Sequence, residues 1–409
     1  MLRTPMLYAM VALFASLAVA CESGEPATQS PGNGETPATQ GTITAPGDVP
    51  EGMEIVWETY SLLMQDYVDG SKVDSDVLAE AAVEGMIDAL DDRYSAYIGP
   101  QTFELEQENF QGKFEGIGAH VEQSPDGNWV VVVAPLPDTP AEEAGIKAGD
   151  WILAVDGVDA EGWSVVEAVN RIRGPRGTPV TLTVLHVDGQ DPVDITIVRG
   201  TIEQSSVYGR MVEDQPYGVV QISQFTAETF RETREAVQSL VDGGATGIVL
   251  DLRRNPGGLL TATVDVASEF LTDGLVTYEI DSRGIRDDWE VKSGGRFPDL
   301  PMVVLVDEFS ASGSEVLAGA LQDHGRAIII GTQTFGKGSV NLMRGLSNGG
   351  GVYLTTAHWY TPNGRLLEEK GVSPDVVVEL PEDATEDLQL NAAIQQLEFE
   401  LSAAAAALP

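Results

Sequence analysis

The chain is short of cysteine, histidine and basic residues, and each shortage removes a class of function. A single cysteine, Cys21, stands in 409 residues, so neither an internal disulfide framework nor a cysteine-paired metal site can be built. Four histidines, His120, His186, His324 and His358, are scattered, none in a recognisable triad context, and each is expected to be structural. No His-Glu-x-x-His and no P-loop occurs, which leaves metal and nucleotide chemistry without support; no cofactor and no metal are expected. Basic residues number 23 against 64 acidic ones, a net charge of −41. Such a surface repels phosphate backbones and anionic headgroups, so nucleic acid is excluded as a partner. The apolar run from Met6 to Ala20 is too short for a membrane-spanning helix and fits the apolar core of a secretory signal behind Arg3.

What is present divides the chain into segments, as its length requires. Residues 1–20 read as the signal. Leu17-Ala-Val-Ala-Cys21 resembles a bacterial lipobox, with leucine four rather than three residues ahead of the cysteine. The resemblance implies lipidation of Cys21 and an anchor on the outer side of the cytoplasmic membrane, in a periplasm or at the cell surface. Residues 21–51, rich in Ser, Thr, Pro, Gly, Gln and Glu, cannot bury enough surface to fold and read as a flexible tether. Residues 52–110 form an N-terminal helical region. Ile55, Val56, Tyr60, Leu63 and Met64 recur at helical spacing, then Leu78, Ala82, Met86, Ile87 and Leu90, with a third helix over Thr102 to Phe110. This region reads as scaffold without chemistry.

Residues 111–200 are β-rich. Strands are expected at Trp129 to Ala134, Trp151 to Val155, Val180 to Leu185 and Val193 to Val198, with helices at Pro140 and over Val165 to Ile172. From residue 201 to about 385 strands alternate with helices: Tyr217 to Ile222, Ala227 to Leu240, Gly247 to Leu252, Leu259 to Leu271 and Met302 to Val306. That alternation argues for a mainly parallel, buried sheet. At the end of one strand, Asn255-Pro-Gly257-Gly258 allows the backbone to aim N–H groups at an anion, or simply makes a tight turn. After another, Ser310-Ala-Ser312-Gly-Ser314-Glu places Ser312 or Ser314 where a strand hands over to a helix. First-turn N–H groups there lack helical partners and can face an oxyanion; a plain serine N-cap is the alternative.

Taken together these stretches are specific. Glu115-Gly116-Ile117-Gly118-Ala119 and Ala144-Gly-Ile-Lys-Ala-Gly-Asp150 resemble a PDZ domain. Leu250-Asp-Leu-Arg-Arg-Asn-Pro-Gly-Gly258, Ser310-Ala-Ser-Gly-Ser-Glu315, Phe335-Gly-Lys337-Gly and Tyr360-Thr-Pro-Asn-Gly-Arg365 follow in the order seen in the carboxy-terminal processing peptidases, or tail-specific proteases. The resemblance implies an α/β multidomain chain: an N-terminal helical segment, a PDZ-like β-rich domain and a ClpP/crotonase-like α/β protease core. It implies Ser312 as nucleophile, Lys337 as base, and oxyanion donors from Gly257, Gly258 and Gly313. Gly116, Ile117, Gly118 and Ala119 would take the terminal carboxylate of a protein or peptide substrate that adds to the sheet edge. The family's glutamine four residues after the lysine is here Asn341, one methylene shorter.

A lysine base must be neutral. From a reference near 10.4, service near neutral pH requires a depression of roughly 3 units, about 4 kcal/mol, through burial, and the uncharged flanks of Lys337 suit that. Ser–Lys pairs are an established variant of acyl-transfer catalysis. The competing readings are a catalytically inactive, membrane-tethered PDZ scaffold and a crotonase-like acyl hydrolase of small molecules. Residues 386–409 hold a terminal helix over Leu388 to Leu401 that either caps the core or pairs two copies as a homodimer.

Overall fold

The computed structural model describes residues 50, 52–187, 189, 191–381 and 384–407. The expected signal 1–20, Cys21 and, apart from Pro50, the tether lie outside the described residues. The chain divides into two compact units, 1–73 and 74–409. The boundary therefore falls inside the helical region expected over 52–110. In the first unit α1 (Glu54–Asp66) precedes a single 3-10 turn, Gly70–Lys72. No residue of α1 is buried, although its apolar residues recur at the expected helical spacing.

The second unit opens with α2 (Ser75–Asp88), whose first N–H groups at Asp76 and Val77 are taken by the Asp74 carboxylate. Next come β1 (Ala96–Ile98) and α3 (Pro100–Gln111). The β-rich module then runs β2 (Lys113–Gly116), β3 (Ala119–Gln123), β4 (Val130–Pro135), α4 (Pro140–Glu143), β5 (Trp151–Val155), β6 (Val158–Asp159), α5 (Val165–Ile172), β7 (Pro179–Leu185), β8 (Val193–Val198) and β9 (Gly200–Glu203). Its sheet is ordered β3-β4-β5-β7-β8, with β6 on β5, and β9 returns to pair with β2. Alternation along β7 is plain: Val180, Leu182 and Val184 are fully buried while the threonines between them are not.

The core follows with β10 (Val207–Met211), β11 (Tyr217–Ile222), α6 (Thr229–Asp242), β12 (Gly247–Asp251), α7 (Leu260–Phe270), β13 (Leu275–Asp281), β14 (Arg286–Glu290), β15 (Met302–Val306), α8 (Gly313–Asp323), β16 (Ile328–Gly331), β17 (Ser339–Gly345), β18 (Gly351–Tyr360), β19 (Val376–Val377) and α9 (Leu388–Ala407). The main sheet, β10-β11-β12-β15-β16-β19, is parallel except for β10. Its apolar strands have two faces to fill. Ile248, Leu250, Met302, Val304 and Val306 pack against α6, α7 and α8; Val249, Val303 and Leu305, one residue out of phase, pack under Ala393, Ile394 and Leu397 of α9. Each such side chain removed from water contributes roughly 1.5–3 kcal/mol. Capping the core, one of the two roles expected of the terminal helix, is seen in these contacts.

A second, antiparallel sheet, β1-β18-β13-β14 with β17 also on β18, was not legible in the helix–strand alternation. It draws β1 from the region expected to be scaffold and pairs it with a strand about 250 residues later, Tyr97 opposite Val352.

Candidate active site

Ser312 follows β15 at the first turn of α8, in a backbone conformation (φ 53°, ψ −114°) outside the usual region for a residue with a side chain. What holds it there is Glu315, three residues on and fully buried. The Glu315 carboxylate accepts hydrogen bonds from the N–H of Ser312 (2.9 Å), the hydroxyl of Thr334 (2.6 Å), and the N–H groups of Gly336 (2.6 Å) and Lys337 (2.9 Å). Burial pushes the Glu315 carboxyl above its ordinary pKa, and these four bonds oppose the rise.

The three serines of the motif are not equivalent. Ser310 and Ser314 are fully buried and donate their hydroxyls to the carbonyls of Leu252 (2.8 Å) and Asn255 (2.9 Å). Ser312 is half-buried, and its hydroxyl donates to no group among the described residues. It opens on a cleft of about 350 Å³ that Gly258, Gly313, Val316, Asn341 and Trp359 also line.

The glycine loop lies against this turn. Asn255, fully buried, ties the loop to β11 by donating to Ile222 O (2.9 Å) and accepting the N–H of Gly257 (2.8 Å). A Cβ on Gly257 (φ 101°) would lie 2.8 Å from Ala311 O and from Gly313 N; one on Gly258 (φ 141°) would lie 2.1 Å from Phe225 O. Glycine is required at both. Of the glycines expected to serve an oxyanion, Gly257 has its N–H bonded to Asn255 Oδ1. The N–H groups of Gly258 and Gly313 have no partner among the described residues and border the same cleft as Ser312.

Lys337 lies in the loop before β17, partly buried, with its ammonium nitrogen 5.5 Å from the ring centroid of Tyr94 and 5.4 Å from that of Tyr353. Burial lowers its pKa from the ordinary lysine value, against the opposing charges of Glu368 and Glu315. No hydrogen bond joins it to Ser312 among the described residues. Asn341 follows a bulge in β17 and lines the cleft. Its amide nitrogen donates to Tyr94 O (3.1 Å) and to the Thr355 hydroxyl (3.0 Å), while its oxygen accepts from Ser339 (2.8 Å). These bonds hold β17 to the residues before β1 and do not reach the lysine amine.

Tyr94 corrects the reading of residues 52–110 as scaffold without chemistry. Its ring forms one wall of the lysine pocket, Asn341 is bonded to its carbonyl, and the Arg93 guanidinium contacts its hydroxyl and ring. Glu315 was also missed, although Ser312-x-x-Glu315 has the spacing of a capping box.

In the β-rich module, Gly116, Ile117, Gly118 and Ala119 form the link from β2 to β3. The carbonyl of Ile117 accepts from Ala141 N (2.8 Å), and that of Gly118 accepts from Leu136 N (2.9 Å) and the Thr139 hydroxyl (3.0 Å). The N–H groups of Ile117 and Gly118 have no partner among the described residues. β3 is an edge strand with α5 packed beside it, the arrangement into which an extended peptide can add. Among the described residues no group of three His, Cys, Asp or Glu is placed to hold a metal ion, and no helix is long and apolar enough to cross a membrane.

Comparison with known proteins returns three family matches: peptidase family S41 over residues 216–378, a PDZ domain over 131–186, and the N-terminal domain of the activating protease CtpB over 6–102. A carboxyl-terminal-processing protease of Synechocystis sp. is 38% identical over 303 residues, 73% of this chain and 71% of its own length. A carboxy-terminal-processing protease of Bartonella bacilliformis is 40% identical over 316 residues, 75% and 71% of the two chains. Among solved structures, a photosystem II D1 C-terminal processing protease aligns with TM-score 0.48 and 30% identity, covering 82% of this chain and 96% of that one.

Proposed function

As a member of peptidase family S41, the carboxyl-terminal-processing proteases, this chain is a serine-type peptidase equipped with a PDZ domain, and we propose that Ser312 is its nucleophile and Lys337 its general base. The observation that carries the assignment is the inequality of the three serines. Of the three, Ser312 alone keeps a hydroxyl proton uncommitted among the described residues, at a helix N-terminus, beside two N–H groups likewise without a partner there. Neither the inactive scaffold nor the small-molecule hydrolase is favoured beside these relatives.

The cycle begins with rotation of the Lys337 side chain from between Tyr94 and Tyr353 to the Ser312 hydroxyl. The neutral amine takes the hydroxyl proton as the serine oxygen attacks a peptide carbonyl. Gly258 and Gly313 N–H groups hold the oxyanion, and the lysinium returns the proton to the leaving amine. Water then attacks the acyl-serine by the same proton path and releases the acid. Glu315 touches no substrate in this scheme; it positions serine and lysine by their backbones. Asn341 acts in the same indirect way, through Tyr94.

The PDZ domain supplies the substrate. An extended protein terminus adds to β3 and delivers its carboxylate to the N–H groups of Ile117 and Gly118, which selects polypeptides with free C-termini. The signal and Cys21 lipidation place the enzyme on the outer side of the cytoplasmic membrane, and two copies pair through the side of α9 where Phe399 is exposed. The test is cleavage of an unfolded reporter ending in an apolar tail, with a free or an amidated terminus, by the wild-type protein, Ser312→Ala and Lys337→Ala. Cleavage of the free-carboxylate reporter by wild type alone supports the reading; wild-type rates in Ser312→Ala sink it.

A further inference from the structure

The cleft beside Ser312 is walled by Leu259, Val316, Val340, Trp289 and Trp359, and among its lining residues Glu279 is the one charged group. Glu279 sits in β13 directly opposite Trp359 of β18 and Asp287 of β14, and Trp289 lies two residues from Asp287. Period-two alternation therefore puts Glu279, Trp289 and Trp359 on one face of the sheet. The carboxylate is half-buried and forms no ion pair among the described residues. The buried indole N–H of Trp289, on the same face of the sheet, acts on the Glu279 carboxylate and opposes the rise in its pKa. Burial drives that rise, and the charges of Asp287 and Asp281 add to it.

A carboxylate without a cationic partner in an apolar cleft is costly, and among the described residues no cation is paired with this one. The cleft is large enough for a long side chain, and indole rings suit both the apolar stem and the charged head of a basic residue. We propose that Glu279 is a specificity-determining residue, and that this cleft takes a lysine or arginine side chain of the substrate next to the bond that Ser312 attacks. The inference rests on the assignment of Ser312 as nucleophile. It adds a basic side chain flanking the cut to the apolar tail read by the PDZ domain, and the acidic surface of the protein favours approach of such a substrate.

The test uses reporters with one common free C-terminal tail, in which the residue on each side of the cut is varied in turn among Lys, Met and Glu. Wild type is expected to favour Lys over Met in kcat/KM by about tenfold or more at one of the two positions, the scale of a charge-assisted hydrogen bond. Glu279→Gln, which keeps the shape, is expected to collapse that ratio, and Glu279→Lys to move preference toward Glu. Equal or better cleavage with Met at both positions, or a Lys/Met ratio unmoved in both variants, overturns the proposal. If Ser312→Ala cleaves these reporters as wild type does, the nucleophile assignment fails separately. The cleft is then judged by binding of C-terminally amidated Lys and Met peptides to Ser312→Ala, with and without Glu279→Gln. A Lys preference that depends on Glu279 supports the inference, and equal affinities overturn it.

Discussion

Ser312 and Lys337 donate their backbone N–H groups to the same oxygen, Glu315 Oε2, each at 2.9 Å. Two residues 25 apart in sequence are thus referenced to one buried atom, and the turn that strains the serine is the turn that seats the lysine loop. The other oxygen of that carboxylate anchors Thr334 and Gly336, so the lysine is fixed at the base of its side chain and left free along it.

Removing this carboxylate should uncouple the pair. Glu315→Ala orphans a buried N–H (Gly336), a buried hydroxyl (Thr334) and two part-buried N–H groups (Ser312 and Lys337), a buried group costing about 1–3 kcal/mol when unsatisfied. We expect a loss of at least ~3 kcal/mol of stability in denaturant titration and loss of cleavage, with peptide binding by the PDZ domain retained. A variant as stable as wild type that cleaves at an unchanged rate would show that Glu315 does not position the site.

The pH dependence follows from the depressed pKa of Lys337. Below that pKa the amine is protonated and cannot accept the serine proton, so kcat/KM should rise with pH to a plateau reached below the ordinary lysine range. The sign for stability is the same. Between the folded and the unfolded pKa the unfolded chain binds more protons, so stability climbs with pH there. Lys337→Met should abolish cleavage, raise the unfolding temperature at neutral pH, and remove that climb. An activity profile that falls with rising pH across this window would contradict the assignment.

Gly258 is the most constrained position in the oxyanion loop. With 2.1 Å between an added Cβ and Phe225 O, Gly258→Ala must displace the backbone that carries one of the two uncommitted N–H groups. Turnover should fall by roughly two to three orders of magnitude, the scale for loss of one oxyanion donor, with little change in reporter affinity. An unchanged turnover rate in single-turnover assays would remove this N–H from the mechanism.

In the PDZ domain, Gly118 (φ 79°) would set an added Cβ 2.5 Å from Thr139 Cβ. Gly118→Ala should weaken binding of free-carboxylate peptides measured by calorimetry while sparing hydrolysis of a short reporter that does not engage the domain. Equal loss on both substrates would mean that the domain serves the fold and not capture.

Much of the main sheet was legible because its strands are buried on both faces and its helices are amphipathic. Tyr217–Ile222 and Met302–Val306 of this sheet, and Val165–Ile172 of the β-rich module, appear with the expected bounds. The antiparallel sheet was not legible. Its strands β13, β14, β17 and β18 are mixed in polarity and gain their meaning only when paired, β1 being joined to β18 across about 250 residues. Tyr94 was read as scaffold for the same reason, since nothing in Asp92-Arg-Tyr94-Ser shows that it meets Lys337.

The sequence by itself determined the family and its PDZ and protease modules, and it supplied the residues from which a Ser–Lys site is proposed, because motifs and periodicity are local properties of the chain. Only the tertiary structure decided which serine keeps its hydroxyl proton, which glycine N–H remains unspent, and where the lysine and Glu279 lie. Each of these depends on whether a polar group found a partner on another strand, and hydrogen bonds between distant segments are settled by packing rather than by local sequence.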